Sequence, residues 1–328
     1  MEIWTKPQDV PKNLHSALTI GIFDGVHRGH AEILAQTVAA ARAANLRAVV
    51  LTFSPHPASV HHPERHLHLI TALPERLRFL EKAGVDAVYI QHYDLDYAST
   101  DPEDFISSQL CGLLKAKVVV VGRDARFGKN NSGDWQLLEK LSEKQGFKLH
   151  LVDDIGGVQA ARWSSTVVRE LLAAGKVAAA AQILGRPHRV RGIVQHGNKR
   201  GRLLGFPTAN LAGDNLGEIP ADGVYAGWVV ENVDTEAEVK YPAAISVGSN
   251  PHFHGENRTV EAHILGRGDL HLYGKEIAVE FIAYLRSMQA FAGIAELQAQ
   301  MDADIAQSAQ ILGVPDTGRI DPGIVTAQ

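Results

Sequence analysis

Leu18-Thr-Ile-Gly-Ile-Phe-Asp-Gly-Val-His-Arg-Gly-His30 is the stretch whose reading decides the fold. An apolar-rich strand, Leu18–Ile22, runs into Phe23-Asp24-Gly25, a turn that Gly25 makes easy. His27 and His30 follow, three apart, ahead of the helix-like pattern Ala31–Asn45. At that spacing both imidazoles fall on one face of a helix's first turn, where free N–H groups and the helix dipole favour an anion. Imidazoles so placed can donate hydrogen bonds to phosphate oxygens as charge builds in a transition state, without a covalent intermediate. Taken alone, His-x-x-His reads first as two surface histidines on a capped helix. The preceding strand, the Phe-Asp-Gly turn and Gly29 between the histidines favour a phosphate site.

Outward from this stretch the first half alternates strands and helices. Strands are expected at Arg47–Phe53, Val85–Gln91, Lys117–Gly122 and Phe147–Asp153, with helices at Pro74–Ala83, Asp101–Ala116 and Ser132–Gly146. Strands apolar throughout and separated by helices predict a doubly wound parallel sheet, which binds ligands at its carboxyl edge. Phe23–His30, Pro55-His56-Pro57 and Gly122–Gly128 all fall there. Neither a Walker loop nor a Gly-x-Gly-x-x-Gly fingerprint is present. Farther on, Arg162-Trp-Ser-Ser-Thr-Val-Val-Arg169 opens a helix with the capping hydroxyls of Ser164, Ser165 and Thr166, and Arg169 lies three residues past Thr166.

The Ala-rich helix Val177–Leu184 stops at Gly185-Arg-Pro-His188, and short strands take over at His188–Gln195, Val224–Val230, Ala243–Val247, Thr259–Leu265 and Ile277–Leu285. Strands without intervening helices predict a small antiparallel barrel, with an amphipathic helix over roughly Gly293–Leu312 closing one end. The domains are therefore expected at 1–184 and 185–312, with a loosely ordered tail at 313–328. Within Gly197-Asn-Lys-Arg-Gly-Arg-Leu-Leu-Gly-Phe-Pro-Thr-Ala-Asn-Leu211, Gly197, Lys199, Gly201 and Arg202 make a basic flap suited to phosphates. Thr208 and Asn210, two apart on an extended segment, offer the oxygen ligands that Mg²⁺ accepts. Glu261 is an acid inside an apolar strand; alternation favours a solvent-facing side chain, and at the barrel mouth it would be a general base.

At 328 residues, 45% hydrophobic and 21% charged, the chain reads as an ordinary globular protein of two domains. A net charge of −5 gives no global attraction to nucleic acid, so any anion site must be local. Its one cysteine, Cys111, excludes an intrachain disulfide and fits a packed core thiol in a reducing compartment. No signal core or apolar run of membrane-spanning length occurs, so cytoplasmic location without a membrane partner is expected. Nothing in the sequence fixes an oligomeric state.

Gly21-Ile-Phe-Asp-Gly-Val-His-Arg-Gly-His30 resembles the His-x-Gly-His signature of nucleotidyltransferases, in the form found in the prokaryotic bifunctional riboflavin kinase/FAD synthetase family. Thr52-Phe-Ser-Pro-His-Pro57 is similar to the family's second block and Val121-Gly-Arg-Asp-Ala-Arg-Phe-Gly128 to its third. The Ser164–Arg169 segment resembles the block that steadies the triphosphate, and Gly205-Phe-Pro-Thr-Ala-Asn210 the riboflavin kinase signature. The resemblance spans roughly residues 15–312.

It implies ATP contacts from Gly21, Phe23, Asp24, His27, His30, Asp124, Arg162, Ser164, Ser165, Thr166 and Arg169, and flavin contacts from His56, Pro57 and Phe127. In the kinase it implies ATP contacts from Gly197, Lys199, Gly201, Arg202, Pro207, Thr208 and Asn210, Mg²⁺ on Thr208 and Asn210, and Glu261 as base. The implied reactions are phosphorylation of riboflavin to FMN and adenylylation of FMN to FAD. Three features depart from the family pattern: Ala125 where an aromatic is usual, His252 where Thr is usual, and no Asp immediately after Leu265. The other readings are retention of only one activity, a cytidylyltransferase-type enzyme with another acceptor, and a non-catalytic flavin-binding or flavin-sensing protein.

Overall fold

The computed structural model describes residues 1–65, 67–153, 163–196, 204–211, 216–249 and 258–320. Arg162, Gly197, Lys199, Gly201, Arg202 and His252, named above, lie outside the described residues. The chain forms two compact units, Met1–Leu69 with Leu73–Ser164, and Ile70–Ala72 with Ser165–Gln328.

In the first unit β1 (Glu2–Trp4), β2 (Ser16–Ile20), β3 (Arg47–Ser54), β4 (Ala87–His92), β5 (Ala116–Gly122) and β6 (Lys148–Val152) form one sheet in the order β1-β4-β3-β2-β5-β6. Every pairing is parallel. Successive residues of a strand point to opposite faces, and here both faces are covered. Val50 and Val88 meet Leu34 of helix α1 (Arg28–Ala43) together with Phe79 and Leu80. On the opposite face Val49, Leu51 and Val119 meet Phe105, Ile106, Leu110 and Leu138. From β2 the chain steps to β3 and β4 on one side, then crosses to β5 and β6 on the other. The switch point therefore lies between β2 and β5, and the crevice beyond their carboxyl ends is the ligand site of such sheets.

Further helices in this unit are α2 (Pro57–His61), α3 (Leu73–Lys82), α4 (Leu95–Ala98), α5 (Pro102–Asp104) and α6 (Trp135–Gln145). The helix expected over Asp101–Ala116 begins as α5, capped by the Asp101 carboxylate on Glu103 N, and continues as a π-helix over Phe105–Leu113. Cys111 lies on that π-helix, packed against the core, and burial pushes its thiol pKa up.

In the second unit β7 (His188–Gln195), β8 (Ala209–Leu211), β9 (Gly223–Glu231), β10 (Val239–Ser249), β11 (Arg258–Ile264) and β12 (Glu276–Arg286) close an antiparallel barrel in the order β10-β11-β8-β7-β12-β9. Helices α7 (Ser165–Ala173) and α8 (Val177–Leu184) belong to this unit, α8 lying against β7 and β12. The compact units divide before α7, and α7 packs on α8. Helix α9 (Ile294–Leu312) sets Ile305 and Ala309 on Phe206 and Leu265. A two-pronged ion pair holds it, Arg286 Nε to Asp304 Oδ1 at 2.8 Å and Nη2 to Oδ2 at 2.6 Å. The tail is anchored over 313–320, where Val314 N donates to Ala309 O, Arg319 pairs with Asp302 and Ile320 N donates to Gly205 O.

Candidate active sites

The first site is built on the turn between β2 and α1. Gly21 N donates to Leu51 O, extending the ladder one residue past β2, and the chain then reverses through three left-handed residues: Phe23 (φ 54°), Gly25 (φ 79°) and Val26 (φ 39°). Glycine takes such a φ freely, whereas Phe and β-branched Val do so under strain, a condition that clusters at functional sites. A Cβ on Gly21 would come within 3.0 Å of the Phe23 ring, so glycine there lets the ring fold back. Phe23 and Asp24 are buried.

His27 is the N-cap of α1, and its Nδ1 accepts from His30 N at 3.3 Å. Since Nδ1 accepts, the ring proton of a neutral His27 lies on Nε2, which is then the donor. The two imidazoles stack with centroids 3.7 Å apart, and the Phe23 ring meets His30 edge-on at 5.2 Å. Across the switch point, the Asp124 carboxylate folds over Gly122, where a Cβ would lie 2.7 Å from its Oδ1 and 3.6 Å from Ile33 of α1. Arg28 lies over the Trp163 ring at 5.7 Å, bringing the residue before Ser164 to the start of α1. Phe23, His30 and His27 thus form one run of ring contacts beyond the carboxyl end of β2, and Asp124 lies beyond that of the neighbouring strand β5. Ser165, Thr166 and Arg169 sit on the first turns of α7, within the second unit.

His56 caps α2, its Nδ1 accepting from Ala58 N at 3.0 Å, and Pro57 is the first helical residue. Phe127 is buried beside Phe105, ring centroids 5.2 Å apart, so it supports its loop from inside. Sequence reasoning missed an aromatic cluster at this edge: Phe53 meets Tyr93 and Tyr97 at 5.7 and 6.0 Å, and His61 bonds Tyr93 Oη at 3.0 Å. The signal available was positional, since Phe53 and Tyr93 lie at the carboxyl ends of β3 and β4.

The second site lies on the barrel. Glu261 of β11 stands in register with Asn210 of β8 on one side and Ser246 of β10 on the other. Burial pushes its carboxyl above the usual carboxylate range, and a hydrogen bond from the Thr208 hydroxyl acts in the opposite direction. Asn210 Nδ2 donates to Thr208 Oγ1 at 3.3 Å and to Thr208 O at 3.2 Å, so the two residues expected side by side do meet. Pro207 O accepts from His263 Nδ1 at 2.9 Å, and burial depresses that imidazole. His263 was not singled out from sequence, although period-two spacing puts it on the Glu261 face. After Leu265 the first acid is Asp269, whose carboxylate pairs with Arg267 at 2.6 and 2.8 Å.

Comparison with known proteins follows this division. A FAD synthetase family model matches residues 9–167 and a riboflavin kinase family model matches residues 184–312. Bifunctional riboflavin kinase/FMN adenylyltransferase of Escherichia coli K12 is 36% identical over 299 residues, 90% of this chain and 93% of the relative. The Bacillus subtilis protein of the same name is 32% identical, covering 88% of this chain and 90% of its own length. A crystal structure from Streptococcus pneumoniae, described as a macrolide-efflux protein, superposes with a TM-score of 0.81 at 31% identity over 93% of this chain and 97% of that one. Among the described residues no helix is long and apolar enough to cross a membrane. With a FAD synthetase domain followed by a riboflavin kinase domain, the chain belongs to the bifunctional riboflavin kinase/FMN adenylyltransferase family.

Proposed function

We propose that the barrel phosphorylates riboflavin and that the parallel-sheet unit adenylylates the FMN formed. In the first reaction Glu261 takes the proton from the flavin's ribityl hydroxyl as its oxygen attacks the γ-phosphorus of ATP, and ADP leaves. In the second, an FMN phosphate oxygen attacks the α-phosphorus of another ATP, and pyrophosphate leaves. His27, donating from Nε2, and His30 stabilise the charge that develops on the α-phosphate oxygens. Phe53, Tyr93 and Tyr97, beside His56 and Pro57, form an aromatic wall suited to a flat ring. Ser164, Ser165, Thr166 and Arg169 are proposed as triphosphate contacts on their sequence block.

Among the described residues no cluster of three His, Cys, Asp or Glu could cage a metal. The hydroxyl of Thr208 and the amide oxygen of Asn210 suit a hard cation that keeps waters and nucleotide phosphates as its other ligands. We assign them Mg²⁺, which when bound would neutralise charge on the transferred phosphate. Cytoplasmic location is proposed on the single cysteine.

The observation that carries the reading is the Thr208–Glu261 hydrogen bond beside Asn210, which joins the kinase signature to its base. The test is to assay both steps separately in full-length variants. Glu261→Gln should lose FMN formation by about 10²-fold or more and keep FAD formation from supplied FMN. His27→Ala should show the reverse pattern. Equal loss of both steps in either variant would refute the assignment of separate sites.

A further inference from the structure

Arg76 has no place in the chemistry above, yet it is among the most deeply buried side chains, 2% exposed on α3. Its Nη1 donates to Ile22 O at 2.8 Å, and the Thr52 hydroxyl donates to the same carbonyl at 3.2 Å. Burial works against the Arg76 cation, and the charge of Asp24, itself 1% exposed, works for it. A guanidinium is rarely taken out of water unless charge and hydrogen bonds compensate it. Arg76 thus acts on Ile22 and Asp24, the residues flanking left-handed Phe23. Strained backbone of this kind persists only when its surroundings over-determine it. The two hydrogen bonds on Ile22 O supply that constraint on one side, and the burial of Asp24 on the other. The Phe23 ring then stands against His30, and His30 stacks on His27.

We propose that Arg76 is a positioning residue for adenylyl transfer, acting through the Ile22–Asp24 turn to seat His27 and His30. It touches no reacting atom. A second consequence is electrostatic. Arg76 sets a positive charge near the buried Asp24 carboxylate, at the edge of a site meant for a triphosphate; without the cation less positive charge faces the nucleotide. Placement within the first unit means that the kinase barrel should not respond. This inference rests on the adenylyltransferase reading of that unit.

The test uses the full-length protein, with FAD formation from supplied FMN and FMN formation from riboflavin measured on the same preparations. A parent protein that forms no FAD would overturn the reading and the inference with it. Given an active parent, Arg76→Met should lower kcat for FAD formation about 30-fold, with KM for FMN changed less than threefold and kinase kcat within twofold. Arg76→Lys, which keeps the cation and one donor, should stay within fivefold of the parent. If calorimetry shows Arg76→Met unfolded, Arg76→Gln takes its place in the same comparison. Full activity in the Met or Gln variant would overturn the proposal. So would a folded Lys variant as impaired as they are, because the cation and donor it keeps would then do nothing for the turn.

Discussion

The rings of His27 and His30 stack at 3.7 Å with 18° between their planes, and a side chain on Gly29 would press on the His27 ring. A Cβ there would lie 3.2 Å from both Cε1 and Nδ1 of His27. Gly29 sits in the first turn of α1, where alanine favours helix over glycine by roughly 0.5–1 kcal/mol. Gly29→Ala should therefore leave the melting temperature unchanged or raised while lowering kcat for FAD formation about tenfold. Calorimetry alongside steady-state kinetics checks both signs. A fall in stability with normal activity would show that the ring contact matters to folding and not to catalysis.

The kinase should lose activity with acid sooner than a solvent-exposed glutamate base would allow. Burial raises the Glu261 carboxyl, the base works only when ionised, and activity therefore falls as pH drops through that raised value. Thr208→Val removes the hydrogen bond that holds the carboxyl down, so its acid limb should move to still higher pH. The pH profile of kcat/KM for riboflavin measures this, and a limb unmoved or shifted downward in Thr208→Val would contradict it.

Arg286 and Asp304 tie α9 to the barrel while largely buried. Breaking such a pair strands one charge, at a cost of about 3 kcal/mol. Asp304→Ala should lower barrel stability by roughly that amount in urea unfolding, and Arg286→Met with Asp304→Leu should recover most of the loss. A single variant as stable as the parent would show that the apolar contacts of Ile305 and Ala309 hold α9 without it.

Chelation should stop FMN formation without changing the fold, because no caged metal cluster exists among the described residues. Excess EDTA should abolish kinase turnover while the far-ultraviolet circular dichroism and melting temperature stay as they were. Magnesium should restore the rate. A loss of structure on chelation would point to a resident metal.

The elements carrying the sites were legible because their patterns are local. The strand–turn–helix around Gly25, the Ala-rich helix Val177–Leu184 and the strands around Glu261 follow from apolar runs punctuated by Gly and Pro. Strand β1 was not, since three residues show no periodicity and this strand exists by pairing with β4. The π-helix over Phe105–Leu113 was not, because apolar spacing marks a helix without fixing its hydrogen-bond step. Arg76 was not singled out, since nothing in Glu75-Arg76-Leu77 marks a buried cation; only the tertiary fold brings it to Ile22 O. Glu261 shows the limit of alternation: Val260 and Ala262 are buried as expected, yet Thr208 and the neighbouring strands enclose the acid between them.

The most direct test of the account is chromatography of the flavins formed when the purified protein is incubated with riboflavin, ATP and Mg²⁺. Two sites of the kind described predict that FMN appears first and FAD follows, with pyrophosphate released only in the second step. Unchanged riboflavin, together with no FAD when FMN is supplied directly, would contradict the account and leave a protein that binds flavin without turning it over.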